Sequence, residues 1–295
     1  MISDVITEQA ELYLSRFQEK IAKMPAESVH AIVTDPPYFI DGMGEDWSHV
    51  SLRNRQINKS AATARVKSLP SSMRYDPMQG PKLEELIKEL SIQALRVLKP
   101  GGFFIACSSD RLVGWVSNPI ERTGFRIWNI TPWLHSGQLR AQSQAYHIGR
   151  LHVSDQEKER LLAICGNRTT PQLRPVVELI VAAQKPISEK TFAQNWGKHG
   201  TGLCQTWFDG KSQPNLYEYA KPNEKIDHMT VKPIDLMIRI IEIYTAPGQT
   251  VFDPFMGSGT TGVAAIRLGR KFIGCEKDKP SFELSRGRIC AELKE

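Results

Sequence analysis

The chain has 295 residues, 41% hydrophobic and 24% charged, with a formal net charge of +6 and a sequence pI of about 9.0. That length and balance fit a large α/β domain with a real core and exclude a disordered chain. Five scattered cysteines without a CxxC pair (Cys107, Cys165, Cys204, Cys275, Cys290) argue against a zinc site or a disulfide framework. No apolar run approaches a membrane span and the start, MISDVITEQAELYL, has no basic region before an apolar stretch, so a soluble, cytoplasmic protein is expected.

In chain order, apolar spacing predicts a helix over about Ala10 to Lys23, then a buried strand from Val29 to Val33 that runs into Asp35-Pro36-Pro37-Tyr38. The two prolines fix φ and remove two backbone donors, so the turn presents acceptors: the Asp35 carboxylate and nearby carbonyls. Tyr38 adds a flat face, which together suits the exocyclic amine of a planar base. Phe39 follows, as a pocket wall or an ordinary core residue. Between Trp47 and Tyr75 lie Arg53, Arg55, Lys59, Arg65, Lys67 and Arg74 and no acidic residue, as on a phosphate-facing surface.

Pro81 opens a predicted helix carrying Leu83, Leu86, Ile87, Leu90, Ala94 and Leu95 and ending at Lys99-Pro100-Gly101-Gly102. A strand (Phe103 to Cys107), a helix (Arg111 to Thr123) and strands at Phe125 to Ile130 and Val176 to Ala183 follow, the alternation of a doubly wound sheet. The pattern loses regularity over about 132–175 and 187–227, which read as excursions from the sheet. Residues 122–154 carry no Asp or Glu, while Arg126, Arg140 and Arg150 are present. Pro233 to Tyr244 predicts another helix.

The last third contains a βαβ unit: Thr250 to Asp253 as strand, Gly257-Ser258-Gly259-Thr260-Thr261-Gly262 as a glycine turn, Val263 to Leu268 as helix and Lys271 to Cys275 as strand. Glu276 stands 19 positions after Gly257, near the offset at which an acid reaches ribose hydroxyls. By itself the unit suits a nicotinamide dinucleotide as well as S-adenosylmethionine. For these two motifs to form one site, the strands Val29 to Val33 and Thr250 to Phe252 must be neighbours at the point where strand order reverses.

Asp253-Pro254-Phe255-Met256-Gly257-Ser258-Gly259 resembles the cofactor signature of DNA amino-methyltransferases, in which Asp-Pro-Pro-Tyr is the catalytic motif. His228-Met229-Thr230-Val231-Lys232-Pro233 resembles a further motif of that family, with Met229 where Pro is usual, and Leu98-Lys99-Pro100-Gly101-Gly102 also matches. The order, catalytic motif first and cofactor motif last, is that of the permuted β group, of restriction-modification type.

The resemblance implies an α/β, doubly wound, mostly parallel Rossmann-like methyltransferase sheet with an inserted target-recognition region. It divides the chain into a catalytic half (1–131, with a basic DNA-facing loop at 41–80), candidate target-recognition excursions (132–175 and 187–227) and a remainder (176–186 and 228–295) with the cofactor half.

The implied catalytic residues are Asp35, Pro36, Pro37 and Tyr38. The implied cofactor is S-adenosyl-L-methionine, held by Asp253, Phe255, Gly257, Ser258, Gly259, Thr260, Glu276, His228, Thr230 and Lys232, with Glu8 standing in for an acid the family has upstream of the catalytic motif. The partner is double-stranded DNA, contacted by the basic segment and by Arg140, Arg150, Arg168 and Arg174; a homodimer and a companion restriction endonuclease are compatible with the resemblance.

The leading Asp, where some members have Ser, implies N6 of adenine over N4 of cytosine. A base inside a duplex cannot reach a buried methyl donor, so the target nucleotide flips out; Trp47, Trp133, Trp196 and Trp207 are candidates to fill its place. Two rivals stay open: an NAD-type oxidoreductase, which leaves Asp-Pro-Pro-Tyr unexplained, and a DNA-binding module without catalysis, which leaves both motifs idle.

Overall fold

A computed structural model describes residues 3–38, 78–135, 144–169, 173, 176–221 and 231–293. Eleven strands are found in the described residues: β1 (Ser3–Thr7), β2 (Ala10–Leu14), β3 (Val29–Thr34), β4 (Leu98–Ser109), β5 (Arg126–Leu134), β6 (Val177–Gln184), β7 (Trp207–Phe208), β8 (Lys211–Ser212), β9 (Tyr217–Glu218), β10 (Thr250–Asp253) and β11 (Lys271–Glu276). Nine of them form one sheet in the order β1-β2-β11-β10-β3-β4-β6-β5-β9, and β7 and β8 pair separately.

The five central strands, β2 to β4 in that order, are parallel; β1 and β6 run against their neighbours. Parallel strands are covered on both faces, which is why β3 (VHAIVT) is mostly apolar and β10 (TVFD) has two adjacent apolar residues, Val251 and Phe252, both fully buried.

The pleat divides those side chains between two cores. Ala31, Val33 and Val251 join a cluster with α7 (Ile234–Tyr244) and α8 (Thr260–Arg267), whereas Ile32, Phe104 and Phe252 join one with α1 (Phe17–Ile21), α2 (Gln79–Val97) and α3 (Val113–Thr123). In α2 the buried Leu83, Ile87, Leu90, Ala94 and Val97 recur every three or four residues, so one stripe faces the sheet. Each large apolar side chain so buried contributes about 2 kcal/mol. Helix α2 stops where Pro100 disfavours helical backbone at Lys99, and β4 begins at Leu98.

From β3 the chain passes through α2 to β4 on one side; from β10 it passes through α8 to β11 on the other. Strands β3 and β10 are parallel neighbours, with Val251 opposite Ala31 and Phe252 opposite Ile32. The expected adjacency therefore holds, and the reversal of strand order opens a crevice at their carboxyl ends.

Three segments differ from the sequence expectation. Ala10 to Lys23 is not one helix but strand β2 followed by the short α1. The AELYL run satisfies a helical spacing, yet β11 offers a free edge and β2 pairs along it from Ala10 opposite Phe272 to Leu14 opposite Glu276, so tertiary pairing decides.

Residues 132–134 belong to β5, so the first excursion starts later than expected. It includes α4 (Gln144–Ile148) and α5 (Asp155–Cys165) and leaves from the carboxyl edge, because β5 runs in the direction of β4.

The second excursion is split. Helix α6 (Phe192–His199) lies at the amino edge, where Asn195 Nδ2 donates to the carbonyls of Pro100 (2.9 Å) and Thr201 (2.9 Å), bracing the Pro100–Gly102 turn; β9 returns to the carboxyl edge beside β5. Helix α9 (Lys279–Glu292) closes the described chain near the glycine turn.

Candidate active site

The two motifs meet through one hydrogen bond. Thr34, the last residue of β3, donates its hydroxyl to Asp253 Oδ1 of β10 at 2.7 Å, and the Phe255 amide donates to the same oxygen at 3.1 Å. Asp253 is fully enclosed, and burial pushes its carboxyl up to about 6 although the Thr34 and Thr261 hydroxyls and the Phe255 amide favour the ionised form. Asp253 thus ties the exit of β3 to the exit of β10.

One residue further on, both oxygens of Asp35 are engaged. The Tyr38 hydroxyl donates to Oδ1 at 2.7 Å, and Lys232 Nζ donates to Oδ2. Burial pushes the Tyr38 phenol upward, and the Asp35 carboxylate adds to that. The ring packs against the α2-side core, and the Tyr38 carbonyl accepts from Gln79 Nε2, whose Oε1 accepts in turn from Arg111 Nη2.

Lys232 is buried, yet its ammonium is kept charged. Burial disfavours the charge, but Asp35 and Glu178 outweigh it and hold the amine above its ordinary value. Glu178 Oε2 lies 3.4 Å from Lys232 Nζ, and Glu178 Oε1 accepts from Lys221 Nζ at 3.1 Å. Burial acts to raise the Glu178 carboxyl, and the two lysines reverse this to a net depression.

Behind Glu178 stands His135, whose ring nitrogens have no hydrogen-bond partner among the described residues, with Nε2 3.6 Å from Glu178. Despite that carboxylate, burial and then Lys221 hold the imidazole below its ordinary value, so it is neutral at pH 7. The imidazole sits edge-on to Trp133, 5.0 Å between centroids.

Across the crevice, the glycine turn is locked to β11. The Gly257 amide donates to Glu276 Oε2 (2.9 Å), the Asp278 amide to Oε1 (2.8 Å), and the Met256 amide to the Cys275 carbonyl (2.8 Å). Burial raises the Glu276 carboxyl, with the Asp278 and Gly257 amides pulling the other way. Gly259 needs to be glycine twice over: φ is +79°, and a Cβ would stand 2.8 Å from Ser285 Cβ. Ser258 and Thr260 are buried with their hydroxyls 3.2 Å apart, and Arg288 Nη1 donates to the Ser258 carbonyl and, at 3.1 Å, to the Thr260 hydroxyl. These two side chains build the turn. The Phe255 ring packs edge-on against Phe17 at 5.2 Å.

Not every sequence-predicted residue reaches this crevice. Glu8 is exposed in the turn before β2, at the amino edge, whereas Glu276 ends β11 at the carboxyl edge; the five paired residues between Ala10 and Leu14, four steps or about 13 Å of strand, separate the two levels. Glu8 is therefore excluded as a contact to a ligand held by Glu276.

Lys232, read as a cofactor contact, sits on the Asp35 carboxylate. Arg168 Nη1 donates to the Ile164 carbonyl (3.2 Å) at the end of α5, and the Arg150 guanidinium lies 4.3 Å from the Tyr146 ring centroid, both on the excursion's surface. Trp133 is buried with Nε1 donating to the Tyr219 carbonyl (2.8 Å), so it is a core residue and no wedge, while Trp196 and Trp207 are exposed. Phe39, Trp47, Arg53, Arg55, Lys59, Arg65, Lys67, Arg74, Arg140, Arg174, His228 and Thr230 lie outside the described residues.

The sequence reading missed Thr34, Gln79, Glu178 and His135. Glu178 was hidden inside an apolar strand, where a lone acid needs a buried cation; that mismatch was the available signal.

A DNA methylase family model, covering N6 and N4 amino-methylation, matches residues 29–286. The chain belongs to the DNA methylase family. Among curated relatives, it is 28% identical over 292 residues to the type II methyltransferase M.HindIII of Haemophilus influenzae, covering 92% of this chain and 93% of that one. It is 29% identical over 279 residues to M2.DpnII of Streptococcus pneumoniae, covering 92% and 86%. These place the methylase in the restriction-modification group of DNA amino-methyltransferases.

Its fold is that of solved methyltransferases. M1.HpyAVI in complex with SAM aligns with TM-score 0.56 and 21% identity over 95% of this chain and 98% of that one. The cytosine-N4-specific PvuII DNA methyltransferase aligns with TM-score 0.61 and 16% identity over 96% and 87%.

The methylase's cofactor is S-adenosylmethionine, and the crevice suits it. Glu276 stands at the carboxyl end of β11 beside the glycine turn, and a carboxylate that holds backbone amides there has further acceptor capacity for ribose hydroxyls. Among the described residues no group of His, Cys, Asp and Glu is arranged to hold a metal ion, and no helix is long and apolar enough to cross a membrane.

Proposed function

We propose that this methylase transfers a methyl group to N6 of adenine within a short specific sequence of double-stranded DNA. The observation that carries the reading is the Thr34–Asp253 bond of 2.7 Å, which joins Asp35-Pro36-Pro37-Tyr38 to the glycine turn as two walls of one crevice. The Asp at position 35, read through the family resemblance, favours adenine. The fold is neutral on this point, since a cytosine-N4-specific enzyme shares it.

In this mechanism Glu276 takes the ribose hydroxyls and the backbone of Phe255–Gly259 lies along the methionine portion. Bound there, S-adenosylmethionine supplies an electrophilic methyl on sulfonium. Asp35 and the Pro36 carbonyl accept the two amine hydrogens of the flipped base, which aims the nitrogen lone pair at that methyl; as the N–C bond forms the C–S bond would break to leave a neutral thioether, and one amine proton would leave by way of Asp35 to solvent. Tyr38 gives the base a stacking face in place of its lost neighbours. Positioning and fixed charges supply most of the acceleration, and no side chain forms a covalent bond.

The basic segment 53–74 and Arg140, Arg150, Arg168 and Arg174 serve the phosphates and base edges. The excursion carrying α4 and α5 serves as the target-recognition region, supported by its departure from the carboxyl edge. A cytoplasmic location, a homodimer and a companion endonuclease complete the reading. Incubation of unmethylated DNA with labelled S-adenosylmethionine, followed by digestion to nucleosides, tests it. Label in N6-methyl-2′-deoxyadenosine supports adenine; label in N4-methyl-2′-deoxycytidine overturns that choice.

A further inference from the structure

The resting crevice poses a difficulty for the amine. Asp35 must offer a strong acceptor to the base, yet Oδ1 takes the Tyr38 hydroxyl and Oδ2 is paired with the Lys232 ammonium, which draws on the charge that the remaining lone pairs would offer. A buried ammonium with a single carboxylate partner would close on it and drain its acceptor strength. Here a second carboxylate stands on the far side of the nitrogen, with Glu178 Oε2 3.4 Å from Lys232 Nζ.

Glu178 is placed firmly. It sits on β6 between two strands, opposite Ser109 of β4 and Trp133 of β5, with Lys221 on its other oxygen. Its side chain is one-fifth exposed and that of Lys232 8%, so little water screens the pair. His135 Nε2 lies 3.6 Å from Glu178 Oε1, beyond a hydrogen bond and on the oxygen that Lys221 holds, so Oε2 is left to face Lys232.

We infer that Glu178 is a positioning residue for methyl transfer: it provides an alternative seat for the Lys232 ammonium, so that Asp35 Oδ2 is released to accept the target amine. This rests on Asp35 acting as the amine acceptor. Lys232 then moves between two carboxylates it already faces, and the buried charge stays compensated throughout. Glu178 touches neither base nor cofactor in this role.

The experiment measures single-turnover methylation of DNA at saturating S-adenosylmethionine, with cofactor affinity, DNA affinity and thermal melting measured on the same proteins. Wild-type methylation that disappears in Asp35→Ala establishes the underlying reading; a wild type that methylates no DNA, or an active Asp35→Ala, defeats that reading itself.

Given that reading, Glu178→Gln is expected to lower the single-turnover rate at least tenfold, with cofactor and DNA affinities within about threefold of wild type. Glu178→Asp, which keeps the charge but retracts it by one methylene, is expected to fall between the two. A Glu178→Gln rate within twofold of wild type, or a rate loss matched by an equal loss of cofactor affinity, overturns the inference. If Glu178→Gln does not fold, Glu178→Asp decides: an intermediate rate with intact cofactor binding supports it, and a wild-type rate overturns it.

Discussion

At the scale of single residues, the site is built from carboxylates in three different environments. Asp253 is buried against hydroxyl and amide donors, Asp35 shares a buried ammonium with Glu178, and Glu276 is held by backbone amides. Asp253 has a measurable consequence. Its folded value, about 6, lies above the ordinary 3.8, so the folded state holds the proton more tightly. The stabilisation this gives is complete below pH 3.8 and is lost as pH rises through 6, a span worth about 3 kcal/mol. Denaturant unfolding of wild type and Asp253→Asn from pH 4 to 7 should show the variant gaining on wild type as pH rises. A constant difference would contradict the shift.

Local sequence showed Asp35, Tyr38 and Glu276 because each lies in a short motif whose chemistry is contained within it. Glu178 and Lys232 become partners only when β6 and the segment before α7 converge, which no local spacing reveals. Glu8 misled for a related reason: its distance along the chain suggested a site, but strand direction put it at the opposite edge.

At the scale of elements, the bridge between β3 and β10 and the fit of the glycine turn against α9 decide whether a crevice exists. Thr34→Val removes the hydroxyl that donates to a buried carboxylate and should cost about 1–3 kcal/mol in urea unfolding, with weakened cofactor binding by calorimetry. Gly259→Ala meets both a left-handed backbone and the Ser285 side chain, and should cost at least about 2 kcal/mol. Wild-type stability in either variant would show that its contact contributes little.

The alternation of helices and strands was legible because each buried strand is a short apolar run and each helix a stripe. The stretch from Ala10 was not, because five residues of AELYL satisfy either period and only the free edge of β11 selects the strand. The inner boundary of the first excursion was lost in the same way, since 132–134 gain strand structure from β6.

At the scale of the whole molecule, a net charge of +6 is concentrated in stretches without acidic residues, and the crevice opens on the sheet edge from which the α4–α5 excursion departs. Phosphate contacts release counterions, so DNA affinity should fall steeply between 50 and 200 mM salt, by roughly a thousandfold for six contacts. Replacing Arg53, Arg55, Lys59, Arg65, Lys67 and Arg74 with Gln should weaken binding and flatten the salt slope while leaving S-adenosylmethionine affinity unchanged. An unchanged slope would remove this segment from the DNA interface.

The central claim is that motifs more than 200 residues apart in the chain form one methyl-transfer site in which Asp35 grips the amine. Asp35→Ala tests it most directly, because Lys232 keeps Glu178 as a partner and the variant is expected to fold, which thermal melting checks. Paired measurement of cofactor affinity and single-turnover methylation should give a dissociation constant within about threefold of wild type and a transfer rate reduced at least a thousandfold. Transfer within tenfold of wild type, or cofactor binding lost together with transfer, would contradict it.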